Sequence, residues 1–108
     1  MLTRVAVIGA LALAVVVATP AASEAATCGN ASVGGGYRGQ ITDLTTKGVG
    51  CSSALAFARG FIRGGVIFAC EESRGNLCTY RGWRCRTASS SASTSVRCTR
   101  GARVIRFR

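Results

Sequence analysis

The side chains able to do chemistry in this 108-residue sequence are few: six cysteines, at 28, 51, 70, 78, 85 and 98, one lysine, four acids and no histidine. No two cysteines form a Cys-x-x-Cys pair, and without histidine a mixed zinc site cannot be completed. An even set of cysteines in a short exported chain reads instead as a disulfide framework. Cys70 and Cys78, close in sequence around EESRGNL, are the first expected bridge, closing a surface loop. Cys51 could bridge to Cys85 or Cys98, and Cys85–Cys98 is open as well if their strands pair symmetrically. Cys28 would tie down whatever precedes residue 37.

Catalysis has little to work with. The lack of histidine excludes Ser-His-Asp and Cys-His nucleophiles. A two-carboxylate hydrolase would need Asp43 with Glu71 or Glu72, and a helical segment separates those positions. Lys47 has no serine three residues before it to make a Ser-x-x-Lys pair. Gly34 to Gly39 (GGGYRG) lacks the spacing of a phosphate-cradling loop. The reading is a non-enzymatic chain with no cofactor and no metal site.

Met1 to Arg4 is a cationic start, and Val5 to Ala18 is an unbroken run of 14 apolar or glycine residues. Thr19-Pro20 then leads into small residues ending Ser23-Glu24-Ala25-Ala26. That order is a secretory leader with a small-residue cleavage zone, and the run falls short of the about 20 residues a membrane-spanning helix needs. Cleavage after Ala25 fits best, with Ala26 the close alternative. The expected organisation is a leader (1–25), an extended, loosely structured Gly-rich arm (26–36) and one domain (37–108). The exported chain has no segment that could span a membrane. With 83 residues and only 19 large apolar side chains, its core is modest and needs staples.

The elements follow from periodicity. Tyr37–Thr46 reads as a strand. Cys51–Arg63 reads as a helix capped by Ser52 or Ser53, with Ala54, Leu55, Ala58, Phe61 and Ile62 on one face and Gly64-Gly65 ending it. Val66–Ala69 is a buried strand or an extended link. From Tyr80 onward the period becomes two: Trp83, Cys85, Val96, Cys98, Ile105 and Phe107 alternate with Arg84, Arg86, Arg97, Arg106 and Arg108. Three such strands make an antiparallel meander. The fold class is α+β: a small disulfide-stabilised domain, one helix packed on an antiparallel sheet of about four strands.

The exported chain carries 13 basic residues against three acids, a net charge of +10, and no acid follows Glu72. Arginine outnumbers lysine 12 to 1 there, and its planar fork suits phosphate, sulfate and carboxylate. In the meander Arg84, Arg86, Arg97, Arg106 and Arg108 would form one anion-binding face. Trp83, on the opposite face, reads as core.

From Cys51 onward the chain resembles uncharacterised small secreted cysteine-containing proteins of actinobacteria. The resemblance rests on Cys51-Ser52-Ser53-Ala54 leading a helix, on Cys70 and Cys78, on Gly82-Trp83-Arg84-Cys85, and on Val96-Arg97-Cys98-Thr99-Arg100-Gly101. It implies an exported bacterial domain and no assigned activity. The expected function is a secreted, non-enzymatic module binding an anionic polymer, lipid or acidic protein outside the cell. The alternatives are an antimicrobial or toxin-like effector at anionic membranes, and an inhibitor presenting the Glu71–Leu77 loop to a secreted enzyme. Oligomeric state is not encoded in any of these features.

Overall fold

The computed structural model describes residues 25–108, so the expected leader, save Ala25, lies outside the described residues. The segment expected as a loose arm is a strand. β1 (Ala25–Gly34) pairs antiparallel with β2 (Tyr37–Lys47). Their turn, Gly35-Gly36, has φ values of 61° and 88°. Positive φ at both positions is what a two-residue hairpin needs if its twist is to match its strands. The glycines that suggested a slack arm are turn chemistry.

The β1–β2 ladder is broken by bulges. Ala31 pairs with Ile41 and Gly29 with Leu44, so β2 carries an extra residue between Ile41 and Leu44. Asp43 sits there at φ 52°, and its backbone N–H donates to Asn30 Oδ1 at 3.0 Å. Asp tolerates this left-handed conformation better than most residues. The bulge keeps both Ile41 and Leu44 in the core and sends Asp43 outward.

The first helix, α1 (Cys51–Arg63), spans the residues expected, but Gly50 stands at its N-cap and no side chain caps it. Neither Ser52 nor Ser53 serves. The Cys28–Cys51 disulfide fixes Cys51 against β1, and the helix starts there, which puts both serines inside its first turn. Its buried face is Ala54, Phe57, Ala58 and Phe61, while Leu55 and Ile62 flank it, partly buried. Val66–Ala69 is neither strand nor link: it opens a second helix, α2 (Val66–Glu72). A four-residue apolar run does not distinguish helix from strand. Here Val66 and Ile67 are half-buried, Cys70 one turn on is fully buried, and Phe68 is 63% exposed, which is one helical face.

The chain then passes a short 3-10 turn (Arg74–Asn76) into β3 (Leu77–Tyr80), β4 (Trp83–Ser89), β5 (Thr94–Arg100) and β6 (Arg103–Phe107). All neighbouring strands are antiparallel, in the order β1-β2-β6-β5-β4-β3. The domain is thus α+β with six strands and two helices, where about four strands and one helix were expected. β1 escaped notice behind its glycines, and β3 behind its four-residue length.

Topology explains how the sheet closes. The β1–β2 hairpin builds one edge. α1 and α2 carry the chain across a single face, α1 over β1 and β2 and α2 over β3 and β4. The meander then returns strand by strand until β6 pairs with β2. The core lies between helices and sheet. Phe61 meets Phe107 edge-on at 5.8 Å between ring centroids, and Phe57 meets Trp83 at 5.3 Å. Tyr80 closes on both phenylalanines, at 5.2 and 5.7 Å, geometries that add to the area these rings bury.

Three disulfides staple this core, and none of the six cysteines is free. Cys28–Cys51 ties the edge hairpin to α1, Cys70–Cys78 ties α2 to β3, and Cys85–Cys98 joins facing residues of β4 and β5. Cys51 therefore pairs with Cys28 and with neither Cys85 nor Cys98. α1 lies over β1 and β2, which puts its start beside the edge hairpin and leaves Cys85 and Cys98 to face each other. Such a disulfide density is typical of extracellular proteins. Among the described residues no single helix is long and apolar enough to cross a membrane; α1 and α2 reach that length only as a pair bent by 66°.

Candidate functional site

Both helices cover the same face of the sheet, so the other face is bare. Alternation along the strands decides what it carries. In β4, Trp83, Cys85 and Thr87 are buried while Arg84 and Arg86 are exposed; in β5, Val96 and Cys98 are buried while Arg97 is exposed; in β6, Ile105 and Phe107 are buried while Arg106 is exposed. Arg108 continues the same parity just past β6.

Register adds what alternation cannot. Arg86 pairs with Arg97, and Arg97 pairs with Arg106. Three guanidinium-bearing residues therefore stand in one row across three adjacent strands. Leu77 of β3 extends the row on one side and Thr45 of β2 on the other. Arg84 is offset by one row, facing Thr79 and Thr99. Like charges placed directly opposite in a sheet repel, and the row contains no acid to relieve them. One row away the bulged Asp43 reaches Arg108 at 3.8 Å, the one ion pair among the described residues, and it lines the same groove as Arg86, Arg97 and Arg106 without pairing with any of them.

Two open grooves flank the row. One, of about 600 Å³, is lined by Leu77, Thr79, Arg84, Arg86, Arg97 and Thr99. The other, of about 510 Å³, is lined by Asp43, Thr45, Arg86, Ser95, Arg97 and Arg106 among others. The polar groups of this face are guanidinium groups and hydroxyls, set over grooves whose lining is mostly carbon, arginine stems included. Its one large apolar side chain exposed to solvent is Leu77, and it carries no aromatic ring. Comparison with protein-family models, with curated proteins and with solved structures returns no match.

Several other arginines are committed elsewhere. Arg59 Nε donates to the Ser32 carbonyl at 3.1 Å, and Arg63 Nη2 donates to the Val33 carbonyl, so α1 clasps the edge hairpin with two guanidinium groups. Arg81 lies over the Tyr80 ring at 5.1 Å, a cation–π contact. Arg100 and Arg103 line a separate cleft with Trp83 and Phe57 near the start of α1. Sequence alternation leaves these arginines off the face but gives no sign of what Arg59 and Arg63 clasp, because their carbonyl partners lie 27 and 30 residues away.

The acids are separated in the fold. Glu71 Oε1 accepts from Thr94 Oγ1 at 3.1 Å, tying α2 to β5, whereas Asp43 belongs to the β2 bulge on the bare face. The Cys70–Cys78 segment is not an open loop. It holds the end of α2 and the 3-10 turn, and the Ser73 hydroxyl, with one proton to give, lies within reach of the carbonyls of both Cys70 and Leu77. Trp83 is 7% exposed and packs in the core.

Proposed function

We propose that this chain is an exported, non-enzymatic module that holds an anionic partner outside the cell on the bare face of its sheet, through Arg84, Arg86, Arg97, Arg106 and Arg108. One observation carries the reading. Arg86, Arg97 and Arg106 are placed in register with no acid between them, an arrangement that costs the free fold stability and that a bound ligand's negative charge would offset. The leader-like start and the three disulfides support an extracellular setting. The effector reading would need a continuous apolar surface, and the exposed large apolar side chains Tyr37, Phe68 and Leu77 sit on three different elements. The inhibitor reading keeps an exposed turn, Arg74–Leu77, closed by the Cys70–Cys78 disulfide, but no residue of that turn names a target enzyme.

The test is retention on immobilised heparin and on purified cell wall across a salt gradient. Wild type should elute late, and the double variant Arg97→Ser with Arg106→Ser should elute at clearly lower salt than Arg81→Ser with Arg103→Ser, which loses the same charge away from the row. Unchanged elution of the double variant would remove the proposal.

A further inference from the structure

Arg86 and Arg97 line both grooves of the bare face. Their spacing follows from the disulfide beside them. Cys85 and Cys98 are 4.0 Å apart at Cα, which marks them as a narrow, non-hydrogen-bonded pair. Alternation along the ladder makes Arg86 and Arg97 a wide pair, about 5.5 Å at Cα, and crossing to β6 makes Arg97 and Arg106 a narrow one, about 4.5 Å. The row thus offers three guanidinium forks along about 10 Å. Arginine side chains on neighbouring strands at such separations can converge on one anion.

Which anion they suit depends on oxygen count. A carboxylate is planar: one guanidinium fork takes two of its four lone-pair sites, and any further donor must approach in the same plane from the other side of the oxygens. A second arginine standing beside the first on the same face of a sheet meets that plane poorly and gains less than it would from a tetrahedral anion. A sulfate or phosphate monoester presents three terminal oxygens in a tetrahedron. It can accept from two forks at once and leave a lone pair for a hydroxyl, of which Thr99, Thr79 and Thr45 supply three along the grooves; the Ser95 hydroxyl donates to the Ala88 carbonyl. Stacking of bases or sugar rings would call for aromatic side chains, and this face has none.

We infer that the Arg86–Arg97–Arg106 row is a site for tetrahedral oxyanion esters, sulfate or phosphate, repeated along a linear polymer whose chain lies across the strands and occupies the two grooves. This rests on the anion-binding reading above and narrows it to one chemistry. Arginine rather than lysine matters here because the fork, not the charge alone, does the selecting.

The experiment uses one backbone and three charges. Dextran sulfate, phosphorylated dextran and carboxymethyl dextran, matched in charge density and length, are titrated into the oxidised protein at about 0.15 M salt, near physiological ionic strength. At least one of the two oxyanion polymers should bind tenfold or more tighter than carboxymethyl dextran, and the one that does identifies the source. In the variant Arg86→Lys with Arg97→Lys, which keeps the charge, that ratio should fall at least threefold. Arg103→Lys, off the row, should leave it unchanged. Equal binding of all three polymers to wild type would overturn the oxyanion inference and leave the anion-binding reading standing. Binding of none of them would overturn both. A ratio that survives the double lysine variant, or is lost in Arg103→Lys, would place the selectivity outside the row and end the inference.

Discussion

Arg86 and Arg97 stand directly opposite each other on β4 and β5, one residue along from the Cys85–Cys98 disulfide that links the same two strands on the buried face. The covalent link holds together the two strands that their outward charges push apart. Arg106 repeats the repulsion on β6. The binding face and the staple behind it are two sides of one ladder, which makes its electrostatic strain measurable.

Relieving that strain should stabilise the fold. Arg97→Ser removes the central member of the row and two repulsive contacts. Urea unfolding with the disulfides intact should show a gain of up to about 1 kcal/mol at low ionic strength. The gain should shrink as salt rises and the Debye length contracts from about 30 Å at 0.01 M to about 10 Å at 0.1 M. Wild type itself should become more stable over that range. A loss of stability in the variant, independent of salt, would show that Arg97 supports the sheet by packing and not that it strains it.

Non-reducing peptide mapping should recover Cys28–Cys51, Cys70–Cys78 and Cys85–Cys98. Their contributions should rank by the chain each closes, 23, 13 and 8 residues for Cys28–Cys51, Cys85–Cys98 and Cys70–Cys78. Paired Cys→Ser replacement should lower stability most for Cys28 with Cys51, by about 3 kcal/mol or somewhat more, and least for Cys70 with Cys78.

Gly60 lies within α1, where alanine would ordinarily be better by about 1 kcal/mol. A Cβ there would sit 2.5 Å from the Tyr80 hydroxyl oxygen, and the Tyr80 ring is wedged against Phe57 and Phe61. Gly60→Ala should therefore destabilise the domain by about 1–3 kcal/mol, the usual range for overpacking. Adding Tyr80→Phe, which removes the clashing oxygen, should recover most of the loss in a double-mutant cycle. Additive effects would mean that the two residues do not meet.

Thr46 and Thr87 are 3% and 2% exposed, and neither hydroxyl has a hydrogen-bond partner. A buried unpaired hydroxyl costs about 1–3 kcal/mol. Thr46→Val and Thr87→Val, near-isosteric and suited to strands, should each raise the thermal midpoint, with a stability gain of about 1 kcal/mol. A fall in the midpoint for either would reveal a partner for that hydroxyl.

The division between what the sequence determines and what the fold decides runs along the range of the interactions involved. α1 and the three strands β4, β5 and β6 are legible because their periods, 3.6 and two, are local properties of consecutive residues. Alternation likewise separates Arg84, Arg86, Arg97 and Arg106 from the buried Trp83, Cys85, Cys98 and Ile105 before any partner strand is known. α2 and β3 are too short for a period to declare itself, and the glycines of β1 speak for its turn and conceal its strand. The pairing of Cys51 with Cys28, the bulge through which Asn30 turns Asp43 toward Arg108, and the register that lines up Arg86, Arg97 and Arg106 all depend on segments far apart in the chain. The sequence by itself determines that arginines alternate with core residues. Only tertiary structure decides that they fall in one row, because a shift between strands leaves each strand's own pattern untouched while changing every neighbour across the ladder.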